Sequence, residues 1–156
     1  MPNDEQDKAG VIAPPPLIYL GALIFGLLLS RRFPIPFLPS RMARGLGWPL
    51  LGGGVLLLGW FEQAMRQADT PSNPYKPSSS IVTEGPFRYT RNPAYLSMTM
   101  IYAGIASLAN ALWAVLLLPI ALVVIQRGVI EREERYLEGK FGEEYLSYKA
   151  HVRRWI

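Results

Sequence analysis

No cysteine and a single histidine, His151, occur in the 156 residues of this chain. The first absence excludes a disulfide framework, a zinc–thiolate site and a cysteine nucleophile. The second leaves no histidine-rich metal site and no histidine-based catalytic dyad, so no metal partner is expected. A glycine-rich phosphate loop and a dinucleotide-binding fingerprint are also missing, which argues against a soluble-type nucleotide site. No Ser-His-Asp arrangement can be placed. Charge is sparse and unevenly placed: 18% of residues are charged, and none falls between Pro93 and Arg127. The basic residues are spread around apolar blocks rather than gathered on one element, so nucleic acid is not an expected partner. The excess of +4 fits anionic lipid headgroups instead.

Half of the residues are hydrophobic, and they fall into four blocks at about residues 11–30, 46–61, 94–109 and 111–125. The last three are short against the roughly 20 residues that span a bilayer core, and the first falls short once its opening prolines are set aside. The prolines Pro14, Pro15 and Pro16 set the start of the first helix near Pro16, because proline is tolerated in a first turn. The third and fourth blocks are separated by Asn110 alone, and they read as a helical hairpin turning there, with one long tilted helix as the alternative. Gly52, Gly53 and Gly54 let helices approach closely. The N-terminus carries Asp4, Glu5 and Asp7 against Lys8, unlike the positive start of a secretory signal, so the first block reads as a retained span. The expected fold is all-α, a polytopic membrane helical bundle of about four spans with a C-terminal cytosolic amphipathic helix. It forms one membrane domain over residues 1–156, with N-terminal spans in 1–65 and a core in 66–156. Arginine and lysine counts place both termini and the long loop, residues 63–92, in the cytoplasm. The four arginines between residues 31 and 44 pull the other way.

Three segments carry candidate chemistry. Residues 79–95, SSIVTEGPFRYTRNPAY, lie just ahead of the third block. Gly85-Pro86 is a turn signal, and Asn92-Pro93 opens a helix whose N-terminus favours a carboxylate. Phe87, Tyr89 and Tyr95 could stack on a purine or face a sulfonium cation. The alternative is an interfacial anchor. Beyond the fourth block, Glu133 and Glu134 point about 100° apart on a helix, so one is expected to face the bundle and the other water. A solvated amphipathic helix is the competing account. Residues 141–155 mix Tyr145, Tyr148 and Trp155 with Lys149, Arg153 and Arg154, as in a helix lying on headgroups or an ordinary tail helix.

Taken in order, Gly85-Pro86-Phe87-Arg88, Arg91-Asn92-Pro93-Ala94-Tyr95, two apolar helices, Glu133-Glu134 and Phe141-Gly142-Glu143-Glu144-Tyr145-Leu146-Ser147-Tyr148 resemble the isoprenylcysteine carboxyl methyltransferase family and the related phospholipid N-methyltransferases. The match covers residues 78–155. The resemblance implies an integral membrane methyltransferase that binds S-adenosylmethionine on the cytosolic side, in a pocket closed by the C-terminal helix. By the same match Ser79, Ser80, Ile81 and Val82 line the cofactor, Phe87 contacts it, and Asn92, Pro93, Ala94 and Tyr95 form the family's His-Pro-x-Tyr segment. Glu133 stands at a cofactor-binding glutamate. The family's substrate-facing arginine has no counterpart, since Val129 holds its position; Arg127 and Arg132 are the candidates to stand in for it. Asn92 replaces the usual histidine and cannot titrate near neutral pH. A carboxylate acceptor is already a nucleophile at pH 7 and needs no such base. Carboxylate O-methylation of an amphipathic, lipid-like acceptor in the plasma or inner membrane is therefore the leading expectation. A non-catalytic membrane scaffold that kept the fold is the alternative.

Overall fold

The computed structural model describes residues 9–73 and 75–156. Asp4, Glu5, Asp7 and Lys8, together with Pro74 of the long loop, lie outside the described residues. Helix α1 spans Pro15–Arg32, α2 Ser40–Gln67, α3 Pro93–Leu108 and α4 Leu112–Ile125. A π turn over Gln126–Ile130 carries α4 into α5, Glu131–Phe141, and α6 follows over Glu143–His151. The all-α expectation holds, with no strand among the described residues.

Proline sets most of the boundaries. Pro15 and Pro93 occupy the first turns of α1 and α3, where a missing N–H costs nothing. Pro34, Pro36 and Pro39 prevent α1 from running into α2. The break at Asn110 is a hairpin and not one long helix: Asn110 adopts a left-handed φ of 49°, which a short polar side chain tolerates. Its side chain also ties the far end of the bundle together. Its Oδ1 accepts from the backbone N–H of Phe37 and Leu38, both at 3.1 Å, and its Nδ2 donates to the Leu38 carbonyl at 2.7 Å.

Helix α2 packs along α3, and α1 along α4. Contact is close where glycines face backbone. A Cβ added at Gly104 would stand 2.6 Å from the Leu51 nitrogen and 2.9 Å from the Gly47 carbonyl oxygen. Gly54 is pressed in the same way against the Ser97 carbonyl, whereas Gly52 meets nothing. Backbone cannot swing aside as a side chain can, so Gly104→Ala is expected to cost about 2 kcal/mol by overpacking. Gly52→Ala should be neutral or slightly stabilising through helix propensity. Thermal unfolding of both variants in detergent checks the contrast.

Buried tyrosines stitch the two helix pairs. The Tyr19 hydroxyl lies 2.9 Å from Thr99 Oγ1, and the Tyr102 hydroxyl donates to the Ala114 carbonyl at 2.8 Å. Outward-facing positions are apolar as well, among them Leu17, Phe25 and Leu28 on α1, Trp48 and Leu56 on α2, and Leu116 and Ile120 on α4. Among the described residues one helical stretch, Leu112–Phe141, is long and apolar enough to cross a membrane. The other helices fall short for local reasons. Helix α3 has 16 residues. Prolines and Arg31-Arg32 dilute α1, and Arg41, Arg44, Glu62 and Arg66 occupy the ends of α2. The N-terminal ends of α1 and α3 and the C-terminal ends of α2 and α4 lie at one end of the bundle, and the functional residues gather there.

Candidate active site

A cleft lies at that end, enclosing about 930 Å³ when its open mouth is included. One wall is the end of α2, through Phe61 and Met65. The second is the loop and turn from Thr70 to Asn92, and the third is formed by α5 and α6. The loop is pinned at several points. Ser80 Oγ lies 2.8 Å from Thr70 Oγ1 and donates to the Ala68 carbonyl at 3.3 Å. The Ser78 N–H donates to the Tyr136 hydroxyl at 3.2 Å. The Phe87 ring packs on Phe61 with centroids 5.8 Å apart.

Of the residues singled out in the sequence, Ser80, Ile81, Val82, Phe87, Asn92, Pro93, Ala94, Tyr95 and Glu133 all line the cleft. Ser79 stands outside the lining, although its neighbours on both sides belong to it. Arg127 and Arg132 also stand outside. Arg132 Nη1 donates to the Gly10 carbonyl at 2.9 Å, on the N-terminal side of the bundle. Val129 is fully buried in the core. Neither arginine reaches the cleft, because the π turn aims this stretch of helix at α1 and its approach, where the Ile12 N–H donates to the Gly128 carbonyl at 3.2 Å. Tyr89 is 68% exposed and leans on Trp60, so of the three aromatics only Phe87 and Tyr95 line the cleft.

The acidic pair departs from the helical-wheel expectation. Both glutamates face protein. Glu133 Oε1 accepts from the Tyr95 hydroxyl at 2.7 Å. Glu134, 5% exposed, accepts from Arg154 Nε at 3.0 Å and Nη2 at 2.8 Å. Helix α5 is covered on one side by the start of α3 and on another by the C-terminal tail, so residues about 100° apart both find a wall. The bidentate contact with Glu134 is the main reason that the Arg154 guanidinium is held above its ordinary range.

The tail is the feature that side-chain motifs did not reveal. The Arg91 N–H donates to the Arg153 carbonyl at 2.9 Å. Thr90 Oγ1 and Asn92 Nδ2 both donate to the Arg154 carbonyl, at 3.1 and 2.9 Å. The Asn92 side chain makes no bond to the helix that it opens; its amide holds the tail instead. The tyrosines and tryptophan expected among headgroups turn inward. Tyr145 is 3% exposed, and burial, reinforced by the Glu134 charge, pushes its phenol up to about 12. Burial raises the Tyr148 phenol too, and its hydroxyl donates to the Phe87 carbonyl at 2.8 Å. Trp155 Nε1 donates to Gln126 Oε1 at 3.2 Å. Helix α6 and the tail thus cover the cleft. His151 lies outside the lining, and no cluster of three or more possible metal ligands occurs among the described residues.

Arg91, Glu134, Lys76, Tyr145 and Tyr148 also line the cleft and were not singled out as site residues. Arg91 stands within the quoted Arg-Asn-Pro-Ala-Tyr run, so the signal was present. The partners that give it meaning come from α5 and the tail.

Comparison with known proteins adds two findings. The profile of the phospholipid methyltransferases matches residues 42–144. A protein of Haemophilus influenzae described as uncharacterized is 49% identical over 63 residues, which are 40% of this chain and 98% of that protein. No solved structure matches.

Proposed function

The chain belongs to the phospholipid methyltransferase family, and we propose that it is a polytopic membrane enzyme that transfers a methyl group from S-adenosylmethionine to an amphipathic acceptor. The carrying observation is the contact between Tyr95 and Glu133. It joins the turn ahead of α3 to the acid beyond α4 across 38 residues of sequence, inside one cleft.

The residues present suit the donor. Glu133 offers a carboxylate for the donor's hydroxyl or ammonium groups, and Tyr95 holds it in place. Phe87 and Tyr95 are the aromatics suited to a purine or a sulfonium. Ser80, Ile81 and Val82 supply backbone along the loop. When bound, the sulfonium supplies an activated methyl group. The chain's own part is to align acceptor and donor and to exclude water, which is where most of the acceleration of such a displacement lies. Helix α6 and the tail, drawn down by Asn92, Thr90 and Glu134, do the excluding.

The acceptor is a carboxylate delivered from the bilayer. Asn92 stands where the related enzymes carry histidine, it does not titrate, and its amide is committed to the Arg154 carbonyl. A carboxylate needs no proton removed before it attacks. Apolar side chains on the outer faces of α1, α2 and α4 support four spans in lipid. Arginine and lysine placement supports a cytoplasmic cleft in the plasma or inner membrane.

Calorimetric titration of the detergent-solubilised protein with S-adenosylmethionine tests the donor. Binding is expected, and Tyr95→Phe should weaken it about tenfold by leaving Glu133 without its partner. No heat from folded wild-type protein overturns the reading. Methyl-labelled donor and membrane lipids test the acceptor: base-labile methyl esters support a carboxylate, and base-stable N-methyl products overturn it.

A further inference from the structure

The end of the bundle away from the cleft carries four arginines and no acid. Arg31 and Arg32 close α1, and Arg41 and Arg44 stand in the first two turns of α2. The chain has no Asp or Glu from residue 9 to 61 or from 85 to 130, so α1, α3 and α4 offer no carboxylate. The acid of α2, Glu62, lies 18 residues beyond Arg44, about 27 Å along the helix. None of the four arginines takes part in an ion pair among the described residues. Their contacts are local and neutral. Arg44 Nε donates to the Ser40 carbonyl at 3.3 Å, and the Arg32 guanidinium stands 5.0 Å from the centre of the Phe33 ring. Helix polarity suits cations at the end of α1 but opposes them at the start of α2. Orientation in the bilayer does not account for the excess, since the cleft end carries Arg66, Lys76, Arg88 and Arg91; whichever end faces the cytoplasm, the other is basic too.

A groove runs into this patch. Ile24, Leu27 and Leu28 of α1 form one side, Ala109 and Ala111 of the hairpin turn form the other, and Arg31 lines it at the end of α1. Ile24 and Leu28 are half exposed. The helix rises about 10 Å from Ile24 to Arg31. The surroundings are fixed in place. Asn110 binds the connection between α1 and α2 at Phe37 and Leu38, and Trp113 Nε1 donates to the Phe33 carbonyl at 3.0 Å. We propose that this groove binds one anionic phospholipid, with an acyl chain along Ile24, Leu27 and Leu28 and the phosphate on Arg31. The inference needs only that the helices span lipid, and it is independent of methyl transfer. The apolar walls would take any acyl chain; the charge selects the headgroup. A guanidinium fork fits a phosphate, and the neighbouring arginines favour a headgroup of net negative charge. A zwitterionic headgroup would bring its own cation into a patch that has no carboxylate to receive it. Basic pockets between membrane helices hold anionic headgroups in this way.

Native mass spectrometry of the full chain, released from mixed micelles holding equal amounts of phosphatidylglycerol and phosphatidylcholine, tests the site. Wild-type protein should retain phosphatidylglycerol about fivefold or more over phosphatidylcholine, the scale of one arginine beside an anionic surface. Arg31→Gln should bring that preference close to unity. Arg127→Gln removes the same charge from an exposed position at the other end of α4 and should leave the preference intact. Ala109→Leu keeps every charge and fills the groove from an exposed position, so it should lower retention of phosphatidylglycerol. A wild type without headgroup preference refutes the site whatever the variants do. Equal losses in Arg31→Gln and Arg127→Gln overturn it by showing a diffuse attraction of the whole bundle. A preference that survives Arg31→Gln overturns it by placing the lipid elsewhere, the cleft included. Retention unchanged in Ala109→Leu overturns the groove as the seat of the chain. Binding of S-adenosylmethionine at the opposite end should be the same in Arg31→Gln as in wild type, so the lipid site and the methyltransferase reading stand or fall separately.

Discussion

Replacing Glu134 with alanine is expected to destabilise the protein by about 3 kcal/mol, more than any other single change in the cleft. The carboxylate is 7% exposed on its side chain and lies between Arg154 and Arg91. Its removal leaves two guanidiniums facing one another with no buried counter-charge, and breaking such a pair costs far more than forming it gains. The figure sits at the low end of the buried range, because Arg154 remains 29% exposed and water takes up part of its charge. Denaturant or thermal unfolding in detergent measures the loss. A double-variant cycle identifies its cause. Arg91→Met combined with Glu134→Ala should be less destabilised than the sum of the two single changes, because the second change removes the stranded charge that the first creates. Additive losses would mean that Arg91 and Glu134 do not share an electrostatic unit.

Glu133→Ala should leave folding largely intact and weaken S-adenosylmethionine binding by roughly 10- to 100-fold, the range for hydrogen bonds to a charged group. The difference from its neighbour lies in the partners. Glu134 is held by the protein's own cations, whereas Glu133 is held by one neutral hydroxyl, Tyr95, and lines the cleft. Glu133→Gln keeps the shape and loses the charge, so it should fall between wild type and alanine. Calorimetry reads the affinity, and an unfolding curve run alongside separates it from stability. Affinity unchanged in both variants would remove Glu133 from the site. If both variants instead melt early with normal affinity, its role is structural.

Much of this layout was legible in the chain. The hairpin could be read from Asn110, the one asparagine in a long uncharged run, because asparagine tolerates the left-handed backbone that such a turn needs. The cleft lining could be read from motif order, since Gly85-Pro86 and Asn92-Pro93 each open an element and Glu133 lies in the first turn of α5. The rest depended on groups that sequence patterns do not carry. The acceptors that fasten the loop to the tail are the backbone carbonyls of Arg153 and Arg154, and every residue has a carbonyl. Helical-wheel reasoning sent one of the two glutamates to water because it treats the surroundings of a helix as one wall; here α5 lies between two. The inward turn of Tyr145 was missed for the same reason. Its neighbours in sequence are polar, and its neighbours in space come from Arg91 and Glu134.

The widened turn at Gln126–Ile130 gives the acid-bearing helix slack. A turn of this kind absorbs one surplus residue without rotating the helix beyond it. Removing a residue there would restore an ordinary helical ladder and still deliver Glu133 and Glu134 to the cleft. Removing one from the regular part of α4 would swing both acids by about 100°. Distances counted along the chain across this stretch are therefore unreliable guides to spatial equivalence, and a relative one residue shorter here could present the same acids.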